Sequence, residues 1–114
     1  MSSAVLNRHR RDWEELAAVD PLWAILAAPE RRWGRWPLEE FFATGEEEIA
    51  QVLDVASGLG YPTQHERALD FGCGVGRLTR ALSGRFREAV GIDISEEMIR
   101  LARELSPQSM RGPP

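Results

Sequence analysis

The segment ALDFGCGVGRLTRAL (Ala68–Leu82), followed by AVGIDISEEMIRLAR (Ala89–Arg103), decides the fold. Ala68-Leu69-Asp70-Phe71 predicts a short strand that runs into a glycine-rich turn. Gly76 to Ser83 predicts a helix with Leu78, Ala81 and Leu82 inward and Gly84 as its stop. Ala89-Val90-Gly91-Ile92 predicts a second strand, closed by Asp93. Ser95 then caps a helix whose first turn holds Glu96 and Glu97 and whose inner side holds Met98, Leu101, Ala102 and Leu105, with Pro107 ending it. Strand, helix, strand, helix in this order predicts parallel strands joined by a right-handed crossover.

Working back towards the N-terminus, the pattern is helical. Met1 to about Arg11 reads as loose, and a short helix is expected over Asp12 to Ala18, with Trp13, Leu16 and Ala17 on one side. Asp20-Pro21 reads as an N-cap with proline at the first helical position, opening a helix over Leu22 to Ala28 that stops at Pro29. Glu30 to Trp36 reads as a loop, and Pro37 opens a short turn through Phe41 and Phe42. Thr44-Gly45-Glu46-Glu47 has the form of a capping box. It predicts a separate helix with Ile49, Val52, Leu53 and Ala56 on its buried face and Gly58 near its end.

The loop Phe71-Gly72-Cys73-Gly74-Val75-Gly76 carries the chemistry. Glycine is needed where a strand turns tightly into a helix and a ligand lies against the backbone. Asp93, at the end of the next strand, is placed at the carboxyl edge of the sheet beside that loop, where a carboxylate can accept from both hydroxyls of a ribose. The glycine spacing discriminates between ligands. A dinucleotide fingerprint, G-x-G-x-x-G/A, would put its last position on Arg77 or Thr79, and neither fits. The spacing is G-x-G-x-G, which suits a nucleoside without a pyrophosphate, and no Gly-Lys-Ser/Thr follows to make a P-loop.

From Arg67 to Arg103 the chain resembles the first half of the class I S-adenosylmethionine-dependent methyltransferases, most of all the small-molecule methyltransferases. The resemblance implies an α/β, partial Rossmann-like S-adenosylmethionine-binding fold (β-α-β-α) behind an N-terminal helical segment. It implies a partial methyltransferase domain over residues 67–106 behind an N-terminal helical cap segment over 1–66, and the chain end, 107–114, reads as a disordered tail. It also implies S-adenosylmethionine as cofactor. Asp70, Gly72, Cys73, Gly74, Val75 and Gly76 would surround its methionine part, Asp93 its ribose, and Ile94 and Met98 its adenine. Similar enzymes place a helical segment over this pocket, so Trp36 to Gly45 folding over the cofactor is weighed against plain packing of Trp33, Trp36, Phe41 and Phe42, which is favoured.

The remaining features bound the function. The chain has 114 residues, about 43% hydrophobic and 28% charged, as expected of an ordinary soluble domain. The formal net charge of −4 gives no basic footprint for nucleic acid. All fourteen basic residues are arginine, a sign of coding bias rather than function. The single cysteine, Cys73, forms no internal disulfide and fits a reducing cytoplasm. Beside the loop it reads as a small packing residue. His9 and His65 have no metal-ligand spacing and read as surface residues. The longest apolar run, Leu22 to Ala28, is far short of a membrane span. The expected function is methyl transfer to a small-molecule acceptor that the sequence does not name, with no residue assigned to acid–base work and no oligomeric state implied. By resemblance the family's sheet has more strands than the two found here, so the chain reads as a truncated, donor-binding half. The alternative is a non-catalytic S-adenosylmethionine-binding or interaction module. A nicotinamide-dependent oxidoreductase is weaker, because Arg77 and Thr79 break its fingerprint.

Overall fold

The computed structural model describes residues 3–106. The two sequence strands are present as β1 (Arg67–Phe71) and β2 (Glu88–Ile92). They pair in parallel, in a register that sets Ala68 against Ala89 and Phe71 against Ile92. Between them lies α4 (Arg77–Ser83), and after β2 comes α5 (Glu96–Leu105). The β-α-β-α order is the partial Rossmann-like arrangement that the sequence predicts. Ser95 caps α5 as expected, its hydroxyl accepting from the Met98 N–H at 3.1 Å. Met98 and Ala102 are buried, Leu101 and Leu105 are half-buried, and Ile99 joins them on the inner side. Pro107 and the expected tail lie outside the described residues.

The N-terminal part departs from expectation in three places. The stretch expected to be loose is helical: α1 runs from Ser3 to Val19. Its first turns are polar or exposed, so no apolar periodicity marks them, but nothing in them breaks a helix either. The second helix, α2 (Pro21–Ile25), is shorter than expected, because Leu26 turns to an extended backbone before Pro29. Asp20 stands at its N-cap position without capping it. Its carboxylate accepts instead from the N–H groups of Trp33 and Gly34.

The third difference is α3 (Leu38–Gly58), one continuous helix where two were expected. The capping box does not form. The Thr44 hydroxyl donates to the Phe41 carbonyl at 2.6 Å, one turn back along the same helix. The glycine that resembled a helix start is a contact point inside the helix. A Cβ on Gly45 would lie 2.2 Å from the Arg77 carbonyl oxygen at the start of α4. Phe41, Phe42, Gly45 and Ile49 form the buried stripe of α3. Leu53 and Ala56 are half-buried, whereas Val52 is exposed.

The main core takes residues from both sides of residue 67. Ala17, Phe41, Phe42, Val75 and Met98 are buried together, with Trp13, Leu22, Ile25 and Trp36 packed against them. Val75, from the middle of the glycine loop, is wholly inaccessible. The N-terminal helices therefore hold the loop from one side while β2 and α5 hold it from the other.

Candidate functional site

The loop after β1 is shaped by backbone that only glycine adopts readily. Gly72, Gly74 and Gly76 have φ of 77°, 55° and 90°. At Gly74 there is a second reason for glycine, since a Cβ there would come within 2.7 Å of Ile25 Cδ1. The turn is stitched to the end of β2: the N–H groups of Gly72 and Cys73 both donate to the Ile92 carbonyl, at 2.8 and 2.9 Å.

Asp93 closes this junction. Its Oδ2 accepts from the Gly74 N–H at 2.8 Å and its Oδ1 from the Ser95 N–H at 2.8 Å. A carboxylate offers about four lone-pair positions. Two are taken by these bonds, leaving acceptor capacity on each oxygen. Asp70 is turned the other way, under the loop, where its Oδ2 accepts from the Thr79 hydroxyl at 2.7 Å. That bond ties the end of β1 to the buried side of α4.

Cys73 is buried with Ile99 and Ala102. Burial pushes its thiol up to about 12, and the nearby carboxylates of Asp70 and Asp93 push in the same direction. A thiol held in this way is a packing group and not a nucleophile. Gly91 of β2 lies directly against it, since a Cβ there would come within 2.8 Å of both Cys73 Sγ and Thr79 Oγ1.

A cavity of about 800 Å³ opens beside the junction. This is within the usual range of small-molecule sites, about 300–1,000 Å³. Of the residues singled out in the sequence, Gly72, Gly74, Asp93, Ile94 and Met98 line it. Asp70, Cys73, Val75 and Gly76 do not; they build the loop from behind. The remaining wall comes from residues that sequence reasoning did not select: Val5, Leu6, His9 and Trp13 of α1, with Ile25 of α2 and Phe71 and Ile92 at the strand ends. Only the i, i+4, i+8 spacing of Val5, His9 and Trp13 could have pointed to that α1 face.

Trp36 to Gly45 does not cover the cavity. Phe41 and Phe42 are core residues, and the Trp36 indole donates to the Leu26 carbonyl at 2.9 Å. The packing reading holds for Trp36, Phe41 and Phe42 but not for Trp33, which is 66% exposed with the Arg32 guanidinium over its ring. His65 is at the surface elsewhere, with Nδ1 3.3 Å from the Arg85 carbonyl oxygen. No cluster of potential metal ligands is found among the described residues.

Residues 68–111 match the family model of a methyltransferase domain. An uncharacterized methyltransferase of Schizosaccharomyces pombe, C70.08c, is 52% identical over 40 residues, which make up 35% of this chain and 15% of that protein. Among solved structures, the chain is similar to S-adenosylmethionine-bound CalS10, an amino pentose methyltransferase from Micromonospora echinaspora involved in calicheamicin biosynthesis. The TM-score is 0.52 with 27% identity, covering 68% of this chain and 34% of that one. The chain thus spans about a seventh of the curated relative and about a third of the solved one.

Proposed function

We propose that residues 68–111, which match a methyltransferase-domain model, are part of a class I S-adenosylmethionine-dependent methyltransferase domain, and that the cavity beside Asp93 binds S-adenosylmethionine for methyl transfer to a small-molecule acceptor. The carrying observation is the junction itself: a turn of three left-handed glycines beside a carboxylate fixed to Gly74, with Gly72, Gly74 and Asp93 at the edge of one cavity.

The residues present fit the ligand. At Gly72 a side chain would meet nothing within 4 Å, so the loop backbone there faces open space in which a ligand can lie. Asp93 keeps free lone pairs for the two ribose hydroxyls. Ile94 and Met98 offer apolar surface to the adenine ring. Asp70, Cys73, Val75 and Gly76 serve the same site by setting the loop's course. When bound, the cofactor supplies a methyl group on a sulfonium, an electrophile that needs no help from a metal. The chain's share of the work is to bind and align it and to exclude water. Val5, Leu6, Ile25 and Phe71 make the remaining walls of this donor cavity largely apolar. Among the described residues no helix is long and apolar enough to cross a membrane. The buried, reduced Cys73 supports a cytoplasmic location.

Calorimetric titration with S-adenosylmethionine tests the reading. One molecule should bind per chain, and Asp93→Ala should weaken binding at least tenfold. No heat of binding to a chain shown to be folded by circular dichroism would overturn it.

A further inference from the structure

Two of the cavity's lining residues carry ionisable side chains, Asp93 and His9. Asp93 is fixed by two backbone N–H groups. The ring nitrogens of His9 meet no hydrogen-bond partner among the described residues. The ring itself is steadied by Trp13 one turn on, edge to face, with centroids 6.2 Å apart.

The helix that carries His9 is anchored at its other end. Ala17 is the buried residue of α1, and Glu14 Oε1 accepts from the Glu97 N–H at the start of α5 at 3.3 Å. Residues 3–12 are all exposed, although Val5 and Leu6 turn apolar side chains to the cavity. Such a half-helix has little of its own to pack against, and isolated helical turns are marginal in water. A ligand in the cavity would cover Val5 and Leu6 and give His9 a partner. Imidazole suits that position because its two nitrogens can donate and accept.

We propose that the first half of α1 is a ligand-binding wall of the cavity and that His9 is its polar contact with the bound S-adenosyl nucleoside. This rests on the donor-binding reading above and adds to it a residue and an element. Ligand binding and the ordering of residues 3–11 are then one event, so donor affinity includes the free energy of settling this half-helix.

The chain has two histidines, and His65, against Phe86 and away from the cavity, is an internal reference. Histidine ring proton–nitrogen spectra should be recorded during titration with S-adenosylhomocysteine. The His9 signals should move and the His65 signals should stay. Amide exchange over residues 3–11 should slow about tenfold or more on binding. His9→Ala should weaken S-adenosylhomocysteine about five- to tenfold, the effect of losing one hydrogen bond, and His9→Gln should recover most of it. If S-adenosylhomocysteine binds while the His9 signals and the exchange of residues 3–11 stay unchanged, this inference falls and the donor-binding reading stands. If the folded chain does not bind it at all, both fall.

Discussion

The Gly74 N–H donates to Asp93 Oδ2 at 2.8 Å, a bond between residues 19 positions apart. It joins the glycine turn after β1 to the end of β2, so the part of the site that meets the ligand backbone and the part that meets hydroxyl groups are set by one contact. Because Oδ1 also takes the Ser95 N–H, the same carboxylate fixes the entry to α5. Binding and local stability are therefore coupled at Asp93.

Asp93→Ala leaves two backbone N–H groups without their partners, each a loss of about 1 kcal/mol or more. Urea denaturation should show a destabilisation of about 1–3 kcal/mol together with the loss of donor binding. Asp93→Asn keeps one acceptor oxygen and should fall between the two proteins in both measurements. If Asp93→Ala lowered affinity with no change in midpoint, the two roles would be separate.

Cys73 makes a prediction about pH. Its thiol is raised from an ordinary value near 9 to about 12 by burial, with Asp70 and Asp93 adding to it. Between those values the unfolded chain releases the proton and the folded one keeps it, so stability falls as pH rises through this window. Below pH 9 the contribution is complete. Thermal melts from pH 8 to 11 should show a steeper decline for the natural chain than for Cys73→Ala. Iodoacetamide at pH 8 should label the native thiol far more slowly than the thiol in denaturant.

How much of this was legible in the sequence follows from where the information is local. Gly72, Gly74 and Gly76 announce a turn because their backbone demands glycine whatever surrounds them, and Ser95 caps α5 by bonding to a group three residues away. Thr44 and Gly45 mislead for the opposite reason: the deciding contact, between Gly45 and the Arg77 carbonyl, spans the chain and leaves no local mark. The α1 wall is hidden in the same way. Val5, Leu6 and His9 acquire meaning only when α1 lies across the cavity, and their arginine-rich surroundings read as solvent-facing.

Asp20 and Trp33 form a second pair fixed at a distance. Trp33 has φ of 66°, an uncommon conformation for a bulky residue. The Asp20 carboxylate, on a residue only 6% exposed, holds its N–H and that of Gly34. Asp20→Ala frees both donors and the strained turn with them. The unfolding free energy from urea denaturation should fall by about 1–3 kcal/mol, while affinity for S-adenosylmethionine should change less than twofold, because neither residue lines the cavity.

Gly45 and Gly58 lie in the same helix and should respond to alanine in opposite directions. In an ordinary helix interior, glycine to alanine gains about 0.5–1 kcal/mol through reduced freedom of the unfolded chain. Gly58, the last residue of α3 with open space around it, should show a gain at or below the lower end of that range. Gly45 cannot, because its new Cβ would sit 2.2 Å from the Arg77 carbonyl oxygen and 3.0 Å from Arg77 Cγ. The carbonyl is backbone at the start of α4, so relief requires α3 and α4 to move apart. Gly45→Ala should therefore cost about 1–3 kcal/mol, as overpacking does. It should also weaken donor binding, since α4 leads directly out of Gly76. Equal stabilisation of both variants in urea would mean that α3 and α4 do not touch at Gly45 in solution.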